Sequence, residues 1–216
     1  MLLFSSNPSI EYLIGVILAA LVGMTVHEFA HCYVAFLMGD STAAEQGHLT
    51  LDPRVHINPL GFFMFILIGF GTLGQAPVNP YRMRNPRWGY LASVAAGPLS
   101  NLGLAIIFGI FIRIIGLQNL VFDFPELISQ ILLTMVTFNI LLFIFNLLPL
   151  SPLDGWNIVY TLLPPDLAVE WERNRSNTQM VFFALILFSY FPGFPSILGI
   201  LIGEPTIAIR RLILGL

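Results

Sequence analysis

His27-Glu28-Phe29-Ala30-His31 places two imidazoles four residues apart, with a carboxylate next to the first. On a helix, positions i and i+4 share a face, so both rings can bind one zinc ion. Glu28 then stands beside the metal as a base for an activated water. The competing reading is a buried polar cluster that helps helices pack. A catalytic zinc needs a third protein ligand and an open position. Cys32 follows His31 directly, about 100° off the ligand face, and reads as a small buried hydrophobe. His48 and His56 fall in a mixed, polar stretch and read as loop residues.

Asp154 is the third candidate. It sits in the run Asn146 to Gly155 (NLLPLSPLDG), where prolines stop a helix and a glycine permits a tight turn. Alone, such an Asp reads as a loop or helix-capping residue. Asn101 and Asn146 are polar groups within apolar stretches. Each reads either as a helix–helix hydrogen-bonding group or as a group that positions substrate, Asn146 by holding the substrate backbone or oxyanion.

The elements that carry these residues are membrane elements. The chain has 216 residues, 56% hydrophobic and only 10% charged. A soluble domain carries roughly 25% charged residues, so this chain lacks the polar surface to coat a globule in water. A net charge of −3 gives no footprint for nucleic acid, and no nucleotide partner is expected. One Cys excludes an internal disulfide. The fold class is an all-α polytopic membrane protein in one domain, 1–216, with a catalytic core at about 12–160 and an accessory helix and tail at about 178–216.

Four spans are expected, at about Tyr12–Met38, Leu91–Leu117, Leu127–Leu148 and Met180–Ile202, since a crossing needs roughly 20 apolar residues. His27, Glu28 and His31 lie in the first, and charges there are functional candidates by default. The apolar patch Gly61–Gly74 is too short to cross and contains four glycines at 61, 69, 71 and 74. It is expected to dip into the membrane as a loop or short hairpin, its backbone covered by protein. The tail Gly203–Leu216 is expected along the interface. Four crossings put both termini on one side. Arg54, Arg82, Arg84, Arg87, Arg173 and Arg175 fall on the side of the long loops, against Arg113, Arg210 and Arg211 opposite. That bias points to cytoplasmic long loops and outside termini.

Three separated stretches resemble the site-2 proteases, the intramembrane zinc metalloproteases. They are His27–His31 (HEFAH) in an apolar helix, Ala95–Asn101 (AAGPLSN), similar to the family's A-G-P-x-x-N, and Asn146–Gly155, similar to its N-x-x-P and L-D-G element. Gly47–Gly61 (GHLTLDPRVHINPLG) and Ala76–Gly89 are weaker echoes, with Asn58 and Gln75 departing from the commoner family pattern. The resemblance implies one zinc held by His27, His31 and Asp154, with Glu28 as catalytic base. It implies that the Gly61–Pro80 region borders the substrate path, and that Asn146 and Asn101 position substrate. It implies the minimal form of the family, without a PDZ or CBS domain. The expected function is regulated intramembrane proteolysis of transmembrane substrates, from the cytoplasmic side of a prokaryotic cell membrane. A polytopic metal transporter would need a second ligand set along a path, and the sequence shows one cluster. A catalytically dead membrane chaperone would lack part of the His27, Glu28, His31 and Asp154 set, which is intact.

Overall fold

The computed structural model describes residues 8–68, 74, 76–189, 191 and 197–216, with side chains left aside at 66–68. The helices are α1 Ile10–Leu37, α2 Thr42–Glu45, α3 Pro53–His56, α4 Pro59–Ile68, α5 Pro86–Ile115, α6 Leu117–Asp123, α7 Glu126–Leu147, α8 Asp154–Leu162, α9 Pro165–Arg173, α10 Arg175–Phe188 and α11 Ile197–Leu214. The chain is an all-α membrane protein. Among the described residues, three helices are long and apolar enough to cross, namely α1, α5 and α7.

Local chemistry explains where the long helices begin and end. Ser9 caps α1 by accepting from the Tyr12 N–H at 3.2 Å, and the chain leaves α1 through Gly39 at φ +109°, a conformation that favours glycine. Asn85 caps α5, with Pro86 at its first position, where the missing N–H costs nothing. Pro149 follows the end of α7 and cannot continue it.

The three long helices pack against one another through small residues. Ala19 and Ala20 of α1 meet Met135, Phe138 and Leu142 of α7 in one cluster. Ala105 and Ile112 of α5 meet Val136 and Ile140 of α7 in a second. Without a hydrophobic drive between helices in lipid, such close approach is what holds a bundle. The outer face of α5 is apolar and exposed at Ile106, Ile107, Ile110 and Ile114, as a lipid-facing surface must be.

The expected fourth span, Met180–Ile202, is divided. Helix α10 has 14 residues and ends at Phe188, a reach of about 21 Å. Helix α11 begins at Ile197. Residues 190 and 192–196 of that span lie outside the described residues; its sequence holds Pro192 and Pro195, which donate no backbone hydrogen bond. The tail also differs from expectation. Rather than lying free along the interface, it forms the later part of α11, and Leu214 is buried with Ile112 and Leu120. Tyr12 of α1, Gln130 of α7 and Arg210 of α11 line one small cavity. The start of α1 and the end of α11 therefore share one end of the bundle.

Of Gly61–Gly74, the part up to Ile68 lies in α4, and 69–73 fall outside the described residues. Gly74 pairs with Ile57 across an isolated antiparallel bridge. Gly74 thus stands beside the residue from which the segment departs. Asp40, fully buried at the exit of α1, ties the return path down by accepting from the Asn79 N–H at 2.6 Å. Burial would raise its carboxyl. The bonds from Thr42 and Asn79, with Arg82 nearby, hold it below the usual carboxylate range.

Candidate metal centre

His27 and His31 sit one turn apart on α1, facing α5 rather than lipid. With Glu28 between them they are 3%, 6% and 7% exposed. Asp154 is the first residue of α8, which folds back against the bundle. Its placement depends on Gly155: a Cβ there would collide with the carbonyl oxygens of Leu147 and Leu148. Arg87, at the start of α5, holds the other end of α8 by donating to Thr161 O at 2.9 Å, Leu162 O at 3.2 Å and Leu163 O at 3.0 Å. A cation on those last carbonyls also complements the helix dipole.

The three side chains converge. His27 Nε2 is 3.0 Å from His31 Nε2, and Asp154 Oδ2 is 3.1 Å from the first and 3.4 Å from the second. The far nitrogens fix the tautomers. His31 Nδ1 lies 2.8 Å from Ser93 O, and a carbonyl only accepts, so Nδ1 carries the hydrogen. His27 Nδ1 lies 2.7 Å from Asn101 Oδ1. The Asn101 amide donates to Gly23 O at 3.0 Å, which turns its oxygen toward His27. In the neutral rings both Nε2 atoms therefore present lone pairs to a carboxylate oxygen that is buried and has no hydrogen-bond partner.

That arrangement suits a cation. With both rings neutral, three acceptors about 3 Å apart repel, and a divalent ion between them would turn the repulsion into coordination. Two imidazoles and one carboxylate form a donor set suited to zinc, and the opposite nitrogens are oriented by a carbonyl and an amide, as ligating histidines usually are. Gly97 adds a steric argument: a Cβ at that position would overlap His31 Nε2 and come within 2.7 Å of His27 Nε2. His27, His31 and Asp154 are the only group of three such donors within 4.8 Å among the described residues.

Glu28 is not one of the converging donors. It lines the same cavity, of about 860 Å³, whose walls include His27, His31, Asp154, Asn146 and Asn157. Gly74 covers it closely, since a Cβ there would stand 2.8 Å from Glu28 Oε1 and 2.7 Å from its Cγ. The chain at Gly74 thus reaches the carboxylate itself. Asn146 faces the cavity but donates only to Leu142 O, at 3.1 Å, on its own helix. Asn101 does not line the cavity: it is fully buried, and its oxygen is taken by His27.

His48 and His56, read from sequence as loop residues, also wall the cavity, with ring centroids 5.7 Å apart. His56 is buried and bonds Thr50 O at 2.7 Å. Burial and the neighbouring His56 push His48 below its usual pKa, against the pull of Glu28. No periodicity in the sequence signals this placement, because α2 and α3 are single turns set by tertiary contact.

Comparison with known proteins agrees with the geometry. The chain is 39% identical to "Putative zinc metalloprotease YwhC" of Bacillus subtilis over 176 residues, covering 79% of either chain. The chain belongs to the site-2 protease family. This site-2 protease is also 35% identical to "Putative zinc metalloprotease Rip2" of Mycobacterium tuberculosis over 185 residues, 80% of this chain and 66% of that one. Against Rip2 of Mycolicibacterium smegmatis the identity is 30% over 164 residues, 73% of this chain and 59% of the relative. No family model matches the chain. No solved structure matches it.

Proposed function

We propose that this site-2 protease is a zinc endopeptidase that hydrolyses peptide bonds in or near transmembrane segments of other membrane proteins. The observation that carries the reading is the convergence of His27 Nε2, His31 Nε2 and Asp154 Oδ2 within 3.4 Å inside a membrane bundle. These three residues hold one zinc ion, and residues 12–160 form the catalytic core. Bound there, zinc supplies Lewis acidity to polarise a peptide carbonyl and to make a water nucleophilic near neutral pH. Glu28 takes the proton from the attacking water on a carboxylate oxygen and delivers it to the leaving amine. Asn101 and Ser93 O hold the two histidines as Nδ1–H tautomers, so that both Nε2 atoms point inward. A helical substrate hides its carbonyls in hydrogen bonds and must unwind locally. The segment around the Ile57–Gly74 bridge, which covers Glu28, receives the unwound strand.

The test is chelation. Protein reconstituted in liposomes with single-span substrates will lose cleavage on treatment with a membrane-permeable zinc chelator and regain it with one equivalent of zinc. Cleavage that persists with no metal bound would overturn the reading.

Asn146 serves the reaction and not the metal. Asn146→Ala will slow turnover by about tenfold or more, the scale of losing a hydrogen bond made in the transition state, with zinc content unchanged. Near-normal turnover would leave Asn146 a helix-packing residue.

The long loops, with six of the nine arginines, lie in the cytoplasm of a prokaryotic cell, and the ends of the chain lie outside. The active site opens toward the cytoplasm. Cysteine labelling at position 173, on a Cys32→Ser background, will require permeabilised cells. Labelling of intact cells by an impermeant reagent would reverse the orientation.

A further inference from the structure

Asn139 sits near the middle of α7, fully buried in an apolar span. A buried amide is costly unless its groups are bonded. Two neighbouring polar residues of this helix settle locally: Thr137 donates to Leu133 O at 2.9 Å and Asn146 to Leu142 O at 3.1 Å. Asn139 does the same with its nitrogen, which donates to Met135 O at 2.9 Å. That bond turns its oxygen away from its own helix. The oxygen then accepts from Asn101 Nδ2 at 3.0 Å, across the gap to α5. Helix α1 makes room: a Cβ on Gly23 would come within 2.9 Å of Asn139 Oδ1.

We propose that Asn139 is a positioning residue of the metal site, acting on His27 through Asn101. The Asn101 amide has two hydrogens, one taken by Gly23 O and the other by Asn139 Oδ1. A flipped amide would set its oxygen against both acceptors and its nitrogen against His27 Nδ1–H. Asn139 thus closes the alternative orientation and commits Asn101 Oδ1 to His27. Three helices take part, so the orientation of one ligand is tied to the assembly of α1, α5 and α7. The inference rests on the reading of His27 as a zinc ligand.

The experiment measures zinc affinity of the purified full chain by competition with a chromophoric chelator, and the visible absorption of its cobalt-loaded form. Asn139→Leu will weaken zinc by about tenfold, within the 10–100-fold scale of outer-shell changes, and will alter the cobalt bands. Asn139→Ala, which adds no bulk, carries the same expectation should the Leu variant not fold. In an Asn101→Leu background, Asn139→Leu will cost nothing more, because the path to His27 is already cut. Asn139→Asp restores affinity and spectrum, since a neutral Asp offers the same acceptor to Asn101 and an O–H to Met135 O. Wild-type affinity in Asn139→Leu and Asn139→Ala, an equal further loss in the Asn101→Leu background, or no rescue by Asn139→Asp would each overturn the proposal. Failure of the wild type to bind zinc would instead overturn the metal-site reading itself, and needs no variant at 139.

Discussion

Glu28→Gln will keep its zinc and lose cleavage by about 10²–10⁴-fold, the contribution of a general base. The substitution is nearly isosteric and leaves the three converging donors untouched, since Glu28 is not among them. An amide cannot take a proton at neutral pH, so only the proton transfer is removed. Gly74 packs against this side chain, and the shape of the contact is preserved. The same variant separates a protease from a transporter. If Glu28 relayed or coordinated a transported ion, the substitution would change metal affinity or flux. The measurement is zinc content by elemental analysis beside kcat for a single-span substrate in liposomes. Unchanged cleavage, or loss of zinc with loss of cleavage, would remove Glu28 from the role of base.

Much of this arrangement was legible in the residues before any fold was known. His27 and His31 carry their own geometry, because helical periodicity alone puts them on one face. Asp154 alone reads as a loop or capping residue in a local stop and turn, and only beside the His27–His31 pair does it become a candidate ligand. Gly61–Gly74 reads as a dip from its shortness and its glycines, and the Ile57–Gly74 bridge brings the ends of that stretch together. The rest depends on distance in sequence. Nothing near Asn101 says that its oxygen meets a histidine 74 positions away, and nothing near Asn139 says that it meets Asn101. Both are polar residues in largely apolar runs, a pattern shared by Asn146, which bonds only its own helix. Hydropathy also overran the chain at Met180–Ile202. It measures how apolar a stretch is, and α10 and α11 are both apolar; it does not register where one helix stops. The tail misled in the opposite sense: its arginines suggested an interface, while Leu214 packs inward.

Gly97→Ala will weaken zinc binding by about 100-fold or more and lower cleavage with it, although one methyl group is added in a helix that ordinarily favours alanine. The added carbon would occupy the space of His31 Nε2 and crowd His27 Nε2 at 2.7 Å. Neither ring can retreat along α1 without breaking its other bond, His31 to Ser93 O and His27 to Asn101. Ser93 and Asn101 lie one turn before and one turn after Gly97 on α5 itself. A shift of α5 that relieved the clash would drag both orienting groups with it. The two rings are thus clamped by the same helix that the methyl group would push away. The expected loss of zinc affinity is about 100-fold or more, the upper end for changes outside the ligands themselves. Gly103→Ala, on the same helix, is the control. A Cβ there meets nothing within 4 Å, so zinc affinity and turnover will stay at wild-type values. Circular dichroism of both variants in detergent will show the same helix content. Wild-type zinc affinity in Gly97→Ala would mean that His27 and His31 do not face α5 as described, and the convergence with Asp154 would fall with it.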